Sequence, residues 1–586
     1  MENWTILRKG ADFAAIAKQF QIHPRVAALI RNRDIIGENA ISYYLNTDLK
    51  RLHDAMLMKD MEKAVTILIE KIEKKKKIRI IGDYDIDGIN AAYILKEVLT
   101  KVGGDADYDI PDRIMDGYGI NKHLIDLAAE AGIDTILTCD NGIAASAEVL
   151  YAKEQGMTVI VTDHHEVPYE MEGEKKRYLL PEADAIVNPQ QEDCRYPFKG
   201  ICGAVVAYKL GQALYRALGK DEKEIEYLIQ NAAIATIGDV MDLIDENRII
   251  VKNGLNMLKD TNNEGLKALF QETEVDRSSV SSYHIGFVIG PCLNASGRLQ
   301  SAKLAMQMLE ATETAEAKKI AQELKALNDK RKDMTEKAVK EGLEKIETSA
   351  LKEDKVLVVY LPECHESLAG IVAGRIRERY CKPVFVLTKG EESIKGSGRS
   401  IEAYHMYEKL TECKELLLRF GGHKMAAGLS LLENNIEPFR EKINVLAQLK
   451  ESDFIPKVVI DMQLPFSEIS EAFIEEIKVL EPFGKGNEKP LFAEKGVCFL
   501  QASIIGKNKN VLKARVLDGS GMILEALCFG DIEEWKRYTI EKYSEKALED
   551  LMMGKENPVE FALTYYPGVN EFRGKKTLQI VIQNYK

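Results

Sequence analysis

Short apolar runs alternate with amphipathic stretches through the first half of the chain. The runs are rich in β-branched residues, which is typical of strands buried on both faces of a sheet. They occupy residues 78–82, 134–139, 157–162 and 184–188. The stretches between them, such as INAAYILKEVLTKV and SAEVLYAKEQG, have the periodicity of helices. This alternation predicts an open parallel sheet flanked by helices, between about residues 55 and 245.

A helical region and a second α/β pattern follow. Residues 246–345 are mostly helical in pattern, and no proline or glycine interrupts the acid- and base-rich stretch before Gly342. This stretch predicts a long, exposed helix that connects two lobes. The strand-like runs VLVVY (356–360) and PVFVLT (383–388) then begin a smaller α/β unit, which reaches about residue 445.

The last part of the chain has the two-residue alternation of β-strands. The runs VCFLQASII, VLKARVLD, ILEALCF, VEFALTYY and TLQIVIQ predict a small β-barrel. The first 50 residues have the pattern of a short helical lead-in. We therefore predict an α/β protein of 586 residues, with a terminal barrel. Its predicted segments are 1–50, 51–315, 316–345, 346–450 and 451–586.

Composition narrows the class of protein. The formal net charge is −13, from 93 acidic and 80 basic residues, which taken alone argues against a protein coated in positive charge for nucleic acid. The nine cysteines form no CxxC pair, so we do not expect a structural zinc site. We expect the cysteines to be reduced thiols. The N-terminal residues lack the apolar core of a signal peptide, and no apolar run is long enough to span a bilayer. We expect a soluble, cytoplasmic protein.

Acidic residues and histidines follow three of the predicted strands. Asp83, Asp85 and Asp87 lie in GDYDIDG after the first strand, Asp140 follows the second in TCDNGI, and Asp163, His164 and His165 follow the third in VTDHH. A fourth apolar stretch, IATIGDVMDL, ends near Asp239. Carboxyl ends of parallel strands meet at one sheet edge, where open α/β sheets place their sites. Neighbouring carboxylates repel one another, so this edge predicts bound divalent cations.

Each of these residues also has an ordinary structural explanation. Any single acid, such as Asp140 or Asp239, can cap a helix, and His164 alone can be a core histidine. Their coincidence at the ends of neighbouring strands favours a metal site. A mixture of carboxylate and imidazole ligands suits Mn²⁺ or Mg²⁺. There are enough carboxylates to bridge two ions, an arrangement that is used for in-line attack on phosphorus.

The motifs resemble those of a known superfamily. GDYDIDG, CDNG, TDHH and IGDVMDL resemble the four motifs of the DHH phosphoesterases. GPCLNASGRL, CHESLAGIVAGRI, GSGRS, FGGHKMAAGL, EPFGKGNEKPLF and NEFRGKKTLQIVI resemble the RecJ family of exonucleases within it. The resemblance implies a parallel-sheet DHH phosphoesterase domain (51–315), a connecting helix (316–345), a DHH-associated substrate-binding domain (346–450) and an OB-fold-like nucleic-acid-binding domain (451–586).

The resemblance also implies roles for single residues. The implied metal ligands are Asp85, Asp87, Asp140, His164 and Asp239, with Asp140 bridging two divalent ions, Mn²⁺ or Mg²⁺. Asp83 is implied as a further ligand or as a neighbour of one. Asp163 would orient His164, and His165 would face the scissile phosphate and assist the leaving group. The implied catalytic residues are thus His165, Asp163 and Asp140.

A second set of residues is implied to bind substrate phosphates. Ser397 and Arg399 lie in GSGRS, a glycine-rich segment expected to form a phosphate-binding loop. Arg113, Arg298 and His423 join them by family position, and together they would hold a 5′-terminal phosphate. The alternative is that GSGRS is only a turn and that the arginines form ordinary ion pairs. Two departures from the family pattern are Cys292, where arginine is usual, and Cys364, where tryptophan is common.

Basic residues also cluster in the predicted barrel. They are Lys507, Lys509, Lys513 and Arg515, and, near the end of the chain, Arg573, Lys575 and Lys576. A basic groove on an OB-fold predicts contact with single-stranded DNA, whereas the alternative is a solvated strand edge protected by lysines.

The main hypothesis is a metal-dependent, single-stranded-DNA-specific 5′→3′ exonuclease of DNA recombination and repair, with a two-metal-ion mechanism. The alternative is a DHH-family phosphodiesterase for short oligoribonucleotides or cyclic dinucleotides. A non-enzymatic replication scaffold is disfavoured because the acidic set is complete. The family implies single-stranded DNA with a 5′ end as a partner, together with single-strand-binding protein and a RecQ-type helicase. We expect a monomer that is associated with the nucleoid and not with a membrane.

Overall fold

The computed structural model describes residues 2–113, 116–173, 175–506, 509–572 and 574–586. The chain forms two compact units. One contains both terminal segments, Met1–Thr47 and Pro456–Lys586, and the other is the continuous segment Asp48–Ile455. The first unit therefore assembles from segments that are far apart in the sequence.

The strands are β1 (Asn3–Ile6), β2 (Lys77–Ile81), β3 (Asp105–Asp109), β4 (Thr135–Cys139), β5 (Thr158–Thr162), β6 (Tyr169–Glu172), β7 (Lys175–Tyr178), β8 (Ala185–Val187), β9 (Leu357–Tyr360), β10 (Val384–Lys389), β11 (Ile394–Arg399), β12 (Leu417–Gly422), β13 (Ala426–Leu431), β14 (Lys457–Ile460), β15 (Met462–Gln463), β16 (Phe492–Ile505), β17 (Val511–Leu517), β18 (Ile523–Phe529), β19 (Glu560–Phe572) and β20 (Lys575–Tyr585).

The helices are α1 (Phe13–Phe20), α2 (Pro24–Asn32), α3 (Glu38–Leu45), α4 (Met61–Glu73), α5 (Ile86–Lys101), α6 (Lys122–Glu130), α7 (Ser146–Glu154), α8 (Gly203–Ala217), α9 (Ile229–Gly238), α10 (Asp245–Lys259), α11 (Glu264–Glu272), α12 (Ser282–His284), α13 (Gly290–Leu299), α14 (Lys303–Glu310), α15 (Thr314–Glu347), α16 (Ala369–Tyr380), α17 (Met406–Thr411), α18 (Ile436–Val445), α19 (Glu471–Ile477), α20 (Ile532–Lys542) and α21 (Glu545–Met552). A π-helical stretch, Ile285–Ile289, joins α12 to α13.

The first lobe of the continuous unit is built on a parallel sheet. Its strand order is β3-β2-β4-β5-β8, and every neighbouring pair is parallel. The four strands predicted from apolar runs are β2, β4, β5 and β8. The fifth, β3, has the polar sequence DADYD, which an edge strand tolerates because one side of it is unpaired. The predicted parallel sheet is therefore confirmed, with one additional edge strand.

Helices cover both faces of this sheet. Ile80, Leu137 and Ile160 belong to the core that includes α5, α8 and α9, whereas Ile81 and Ile136 belong to a second core with α6 and α7. This alternation follows from the two-residue period of a strand. Burial on both faces fixes the register, and with it the position of each residue that follows a strand.

The long helix α15 leads from the first lobe to the second. It has 34 residues, and one stripe of it is buried, including Ala321, Leu324 and Ala338. The prediction of an exposed connector was therefore only partly right, because this stripe packs along α11, α13 and α16. The second lobe has a five-stranded sheet, ordered β12-β13-β11-β10-β9, in which only β9 and β10 are parallel.

The other unit is a small barrel with added segments. Strand β16 pairs with both β17 and β19, which closes the order β16-β17-β18-β20-β19 into a barrel. The N-terminal strand β1 pairs in parallel with β14, and Val26, Leu29 and Tyr44 share the core of the barrel with Phe492 and Tyr565. The predicted fold class is thus confirmed, from the parallel-sheet lobe to the terminal barrel. Across the described residues, we find no helix with the length and apolar composition needed to cross a bilayer.

Candidate metal centre and active site

The carboxyl ends of β2, β4 and β5 meet at one edge of the parallel sheet. Asp83 follows β2, Asp140 follows β4 and Asp163 follows β5. All three carboxyl groups are buried. The helix α9 ends beside this edge, and Asp239 is its C-terminal cap. The sequence motifs therefore converge because neighbouring parallel strands end on the same side.

Two groups of possible ligand atoms lie side by side at this edge, and a third group, Asp140, His164 and His165, overlaps both of them. In each group, one ligand atom per residue lies within 4.8 Å of the others; the groups are Asp87, His164 and Asp239, and Asp83, Asp85 and Asp140. His164 Nε2 lies 3.0 Å from Asp140 Oδ1 and 3.5 Å from Asp87 Oδ2. Asp140 is therefore placed between the two groups.

Backbone N–H groups hold the carboxylates in position. Asp87 accepts hydrogen bonds from the N–H groups of Gly203 (2.6 Å) and Ala204 (2.8 Å), at the start of α8. Asp85 caps α5 by accepting from the N–H groups of Asp87 (2.9 Å) and Gly88 (3.1 Å). The N-terminal end of a helix carries partial positive charge, so both contacts favour the ionised carboxylate.

Two glycines permit this close packing. A Cβ atom at Gly203 would lie 2.6 Å from the Cβ of Asp140, and one at Gly88 would lie 2.5 Å from backbone atoms of Asp83. Asp140 itself has a left-handed backbone, with φ of 62°, which is rare for a residue other than glycine. Strained backbone of this kind clusters at functional sites.

The donor set fits divalent cations. Asp83 Oδ2 and Asp140 Oδ1 are buried, and neither accepts a hydrogen bond of good geometry from the described residues, although His164 Nε2 lies 3.0 Å from Asp140 Oδ1. Burial, followed by the charge of neighbouring carboxylates, raises the pKa of both groups well above the ordinary range. A bound cation would supply the positive charge that these oxygens lack and would restore their ionised form.

Asp163 holds His165 rather than the ring of His164. Asp163 Oδ1 accepts a hydrogen bond from His165 Nδ1 (2.7 Å), and it contacts only the backbone N–H of His164 (2.7 Å). The expected role of Asp163 is therefore corrected, because the ring of His164 points at the other carboxylates instead. The side chain of His165 is 47% exposed against 10% for His164, so His165 is the imidazole that a substrate can reach.

The Asp163–His165 contact changes the pKa of both groups. Burial is the largest single influence and opposes ionisation of each group, but the hydrogen bond between them and the charges of neighbouring groups together outweigh it. The pKa of Asp163 is lowered as a result, and the pKa of His165 is raised to about 9. The protein on its own therefore favours a carboxylate and an imidazolium at this pair.

Two tyrosines that were not predicted from the sequence, Tyr84 and Tyr118, also belong to the site. The Tyr118 hydroxyl donates a 2.6 Å hydrogen bond to the carbonyl of Asp140, and its ring packs edge-on against Tyr84 and His165. The Arg113 guanidinium lies 4.6 Å from the centre of the Tyr84 ring. The available signal was position, since Tyr84 lies inside GDYDIDG and Tyr118 lies between glycines in DGYGI.

Arginines gather beside the acidic edge, as we call the sheet edge that carries Asp83, Asp85, Asp87, Asp140 and Asp163 together with Asp239. Arg298, at the end of α13, donates a 2.8 Å hydrogen bond to the carbonyl of Ser367, which joins the two lobes. Burial, then the charges of Arg113 and Arg331, lowers the pKa of Arg298 to about 10. Arg113 and Arg331 are therefore close enough for their charges to act on Arg298. Arg331 was not among the predicted residues.

Arg399 extends this group from the second lobe. Burial, then the charges of Arg377 and Arg113, lowers its pKa. Within the described ranges, no carboxylate forms an ion pair with Arg113, Arg298 or Arg399, whereas Arg377 lies 3.6 Å from Glu378. The alternative that these are ordinary ion-paired arginines therefore does not hold. We call Arg113, Arg298, Arg331, Arg377 and Arg399 the arginine cluster.

Ser397 and His423 lie at the same end of the second sheet. Ser397 Oγ is 3.3 Å from Arg399 Nη1, and a Cβ atom at Gly370 would approach both side chains. GSGRS is not a loop, as was expected, but lies largely within β11, where its glycines let neighbouring side chains pack closely. His423 is exposed in the turn before β13, whose first residue, Ala426, pairs with Arg399.

The two departures from the family pattern occupy buried positions. Cys292 packs against α15, where its sulfur accepts a hydrogen bond from Asn328. Cys364 is buried in the core of the second lobe. Neither residue is within the two ligand groups.

Some of the basic residues predicted on the barrel line a shallow cavity. This cavity has a volume of about 510 Å³ and is lined by Arg515, Asn570 and Lys575, among others. Lys513 is instead paired with Glu525 at 3.0 Å. Lys507 and Arg573 lie outside the described residues. The barrel therefore offers a limited basic face.

Three family models match the chain. The DHH family, N-terminal domain, matches residues 77–238; the DHHA1 domain matches 353–448; and the RecJ OB domain matches 460–584. The fold and the site thus define a protein of the DHH family, with its associated second lobe and a barrel of the OB type.

The relatives are more specific. The single-stranded-DNA-specific exonuclease RecJ of Escherichia coli (strain K12) is 34% identical, over 89% of this chain and 90% of the relative. RecJ of Dickeya dadantii is 31% identical, over 92% of each chain. The RecJ of Bacillus subtilis is 36% identical over 89% of this chain, which spans 65% of that relative's length. The chain belongs to the RecJ family, as the motifs predicted.

Solved structures agree with this assignment. The crystal structure of RecJ in complex with Mn²⁺ from Thermus thermophilus has a TM-score of 0.81 and 28% identity, covering 100% of this chain and 79% of that chain. The structure of the same protein in complex with Mg²⁺ has a TM-score of 0.76 and 26% identity, covering 100% and 78%.

Proposed function

We propose that the protein is a metal-dependent exonuclease that degrades single-stranded DNA from its 5′ end. The observation that carries this proposal is the juxtaposition, in one unit, of a carboxylate–histidine set that fits cations and an arginine cluster that fits phosphate. Family membership supports the same substrate, since the relatives are single-stranded-DNA-specific exonucleases by name.

The proposed metal ligands are Asp83, Asp85, Asp87, Asp140, His164 and Asp239. They would hold two divalent ions, Mn²⁺ or Mg²⁺, with Asp140 shared between the two groups. When bound, such ions stabilise negative charge on a phosphate undergoing in-line displacement. The unpartnered oxygens of Asp83 and Asp140 support this assignment, because buried carboxylate oxygens without donors are costly unless a cation meets them.

His165 is proposed to act on the scissile phosphate. Its Nδ1 atom is held by Asp163, and its Nε2 atom, which lies 3.4 Å from the Tyr118 hydroxyl, would face the substrate. The half-exposed ring can donate a hydrogen bond to a phosphate oxygen and pass its proton to the leaving oxygen. Tyr118, bonded to the Asp140 carbonyl and packed against this ring, restricts its orientation.

The 5′-phosphate is proposed to bind at the arginine cluster, with Arg113, Arg298, Ser397, Arg399 and His423 as its contacts. Guanidinium groups bind phosphate oxygens through paired hydrogen bonds. Of the cluster, Arg377 lies 3.6 Å from Glu378, whereas Arg113, Arg298 and Arg399 form no ion pair with a carboxylate of the described residues that would compete with a phosphate. A phosphate anchored at a fixed distance from the metals would set the position of cleavage and favour the 5′→3′ direction.

The remaining proposals concern partners and location. The basic face of the barrel would contact single-stranded DNA, as OB-folds do. By family, we propose that the protein acts as a monomer in recombination and repair, with single-strand-binding protein and a RecQ-type helicase, in the cytoplasm at the nucleoid.

A 5′-phosphorylated oligonucleotide labelled at its 3′ end tests the main proposal. With Mn²⁺, labelled fragments should shorten stepwise from the 5′ end, and a blunt duplex should resist. The Asp140→Asn protein is the control for a contaminating nuclease. Shortening from the 3′ end, or cuts within the strand, would refute the proposal. Faster turnover of a cyclic dinucleotide or a short oligoribonucleotide would favour the alternative phosphodiesterase.

A further inference from the structure

Two aromatic rings are exposed together on the helical run that leads to α13. Tyr283 lies in α12 and Phe287 one turn later, in the π-helical stretch Ile285–Ile289. Their ring centres are 5.1 Å apart with planes 28° from parallel, and the residues are 64% and 68% exposed. Large aromatic residues seldom remain this accessible, and π-helical turns are frequent at functional sites. The pair therefore needs a functional explanation.

This helical run passes the candidate metal centre. At its middle, a Cβ atom at Gly290 would lie 3.0 Å from the side chain of Ile86, and one at Gly238 would lie 2.5 Å from the same side chain. Ile86 separates Asp85 from Asp87, and Gly238 precedes Asp239. The run therefore crosses the acidic edge near Gly290.

The two ends of the run lie on opposite sides of that crossing. Arg298, of the arginine cluster, is on the C-terminal side, and Tyr283 and Phe287 are on the N-terminal side. At about 1.5 Å per residue, Phe287 is about 16 Å from Arg298 along the helix axis. A strand whose 5′-phosphate binds at Arg298 thus meets the metal centre first and the aromatic pair next.

We propose that Tyr283 and Phe287 form a stacking platform for bases on the 3′ side of the scissile phosphate. The proposal rests on the proposed function, because it takes the strand direction from it. Aromatic faces bind bases regardless of sequence, which suits an enzyme that must advance along any strand. Bases within a duplex are already stacked and paired, so the platform also favours unpaired substrate.

The test compares substrates of two lengths. The Tyr283→Ala/Phe287→Ala protein should lose about tenfold in kcat/KM on a long 5′-phosphorylated oligonucleotide, mainly through KM. On a 5′-phosphorylated dinucleotide, which ends before the platform, it should match the wild type. Phe287→Trp should retain the rate on long substrate and Phe287→Leu should not, because stacking needs a ring rather than apolar area.

A control removes two exposed apolar side chains elsewhere. The Leu432→Ala/Val445→Ala protein alters accessible positions of the second lobe and should behave as the wild type does. Equal rates of the aromatic double variant and the wild type on long substrate would overturn the inference, and would leave a protein partner as the occupant of the pair. If the wild type itself fails to degrade the oligonucleotide, the proposed function fails instead.

A fluorescent base gives a second readout without catalysis. In EDTA, an oligonucleotide with 2-aminopurine a few nucleotides from its 5′ end should lose fluorescence when it binds the wild type, since stacking quenches this base. The Tyr283→Ala/Phe287→Ala protein, at saturating concentration, should not quench it. Full quenching by that variant would contradict a stacking role.

Discussion

The acidic edge and the arginine cluster are both groups of like charge, yet the fold supports them differently. The carboxylates receive backbone N–H groups from helix ends, as Asp87 does from Gly203 and Ala204 at the start of α8. The arginines instead donate to neutral carbonyls, as Arg298 does to Ser367 and Arg399 to Gly398. Among the described residues, the protein offers neither group enough opposite charge to neutralise it. The comparison therefore supports the proposal that each group is completed by a ligand of opposite charge, cations in one case and phosphate in the other.

The largest effect is expected at the carboxylate between the two ligand groups. Asp140→Asn keeps the shape, and asparagine tolerates the left-handed backbone. Nuclease activity should fall roughly a thousandfold or more, because several kcal/mol of charge stabilisation is lost. In EDTA, however, the free energy of unfolding should rise, because the substitution removes a buried charge that the neighbouring carboxylates repel. Steady-state rates and denaturant titration measure both.

A matched control separates the acidic edge from ordinary acids. Asp107, on the edge strand β3, forms an ion pair with Arg79 of β2. Asp107→Asn should therefore lower stability slightly and leave the nuclease rate unchanged. If Asp140→Asn retained the wild-type rate, the metal assignment would be wrong.

Metal binding should stabilise only one of the two units. At a Mn²⁺ concentration of about one hundred times Kd, the gain is about 2.7 kcal/mol by mass action. Scanning calorimetry should show the transition of Asp48–Ile455 moving to higher temperature, while that of the barrel unit stays in place as an internal control. The shift should be reduced or lost in Asp140→Asn. An equal shift of both transitions would point to a non-specific salt effect.

The arginine cluster should make the enzyme prefer substrate with a 5′-phosphate over substrate with a 5′-hydroxyl. Arg399→Gln removes charge-assisted hydrogen bonds, and KM for 5′-phosphorylated substrate should rise roughly tenfold to a hundredfold, with kcat little changed. Substrate with a 5′-hydroxyl should be affected less, so that the preference for phosphate declines. Arg216→Gln is the matched control, because Arg216 is already paired with Asp54 and Glu222. An unchanged preference would remove Arg399 from the phosphate contacts.

The smallest effect is expected at the tyrosine beside the metal centre. Tyr118→Phe deletes the hydrogen bond to the Asp140 carbonyl, for which a net loss of about 1 kcal/mol, or roughly fivefold in kcat, is expected. Tyr151→Phe, which loses a comparable bond to Asp126 on the outer helices, should leave kcat unchanged. A rate for Tyr118→Phe equal to that of wild type would show that packing alone holds His165.

The acidic edge could be predicted from the sequence because it depends on which residues directly follow each strand. Strands with short, buried runs end at Asp83, Asp140 and Asp163, and parallel pairing brings those ends together whatever the loops do. The same reasoning could not find the partner of Asp163. Whether its carboxylate faces His164 or His165 depends on side-chain direction after the strand, which no periodicity encodes.

Longer-range features were beyond the sequence pattern. Arg331 lies on α15 amid many other charged residues, and only the packing of that helix against α13 brings it to Arg298. GSGRS has the composition of a loop, but pairing with β10 and β13 makes it largely a strand. Composition was most misleading for charge, because a total of −13 conceals an arginine cluster within one unit.

The origin of the barrel unit from both terminal segments imposes an order on folding. Arg33 and Asn487 are hydrogen-bonded although they are 454 residues apart, and β1 pairs with β14 over a similar separation. On the ribosome, the first helices emerge long before their partners exist, whereas Asp48–Ile455 is a continuous segment and can fold as it is made. The two lobes of Asp48–Ile455 can thus fold before the barrel unit does. Until Pro456–Lys586 has been synthesised, the apolar residues of the N-terminal segment remain exposed.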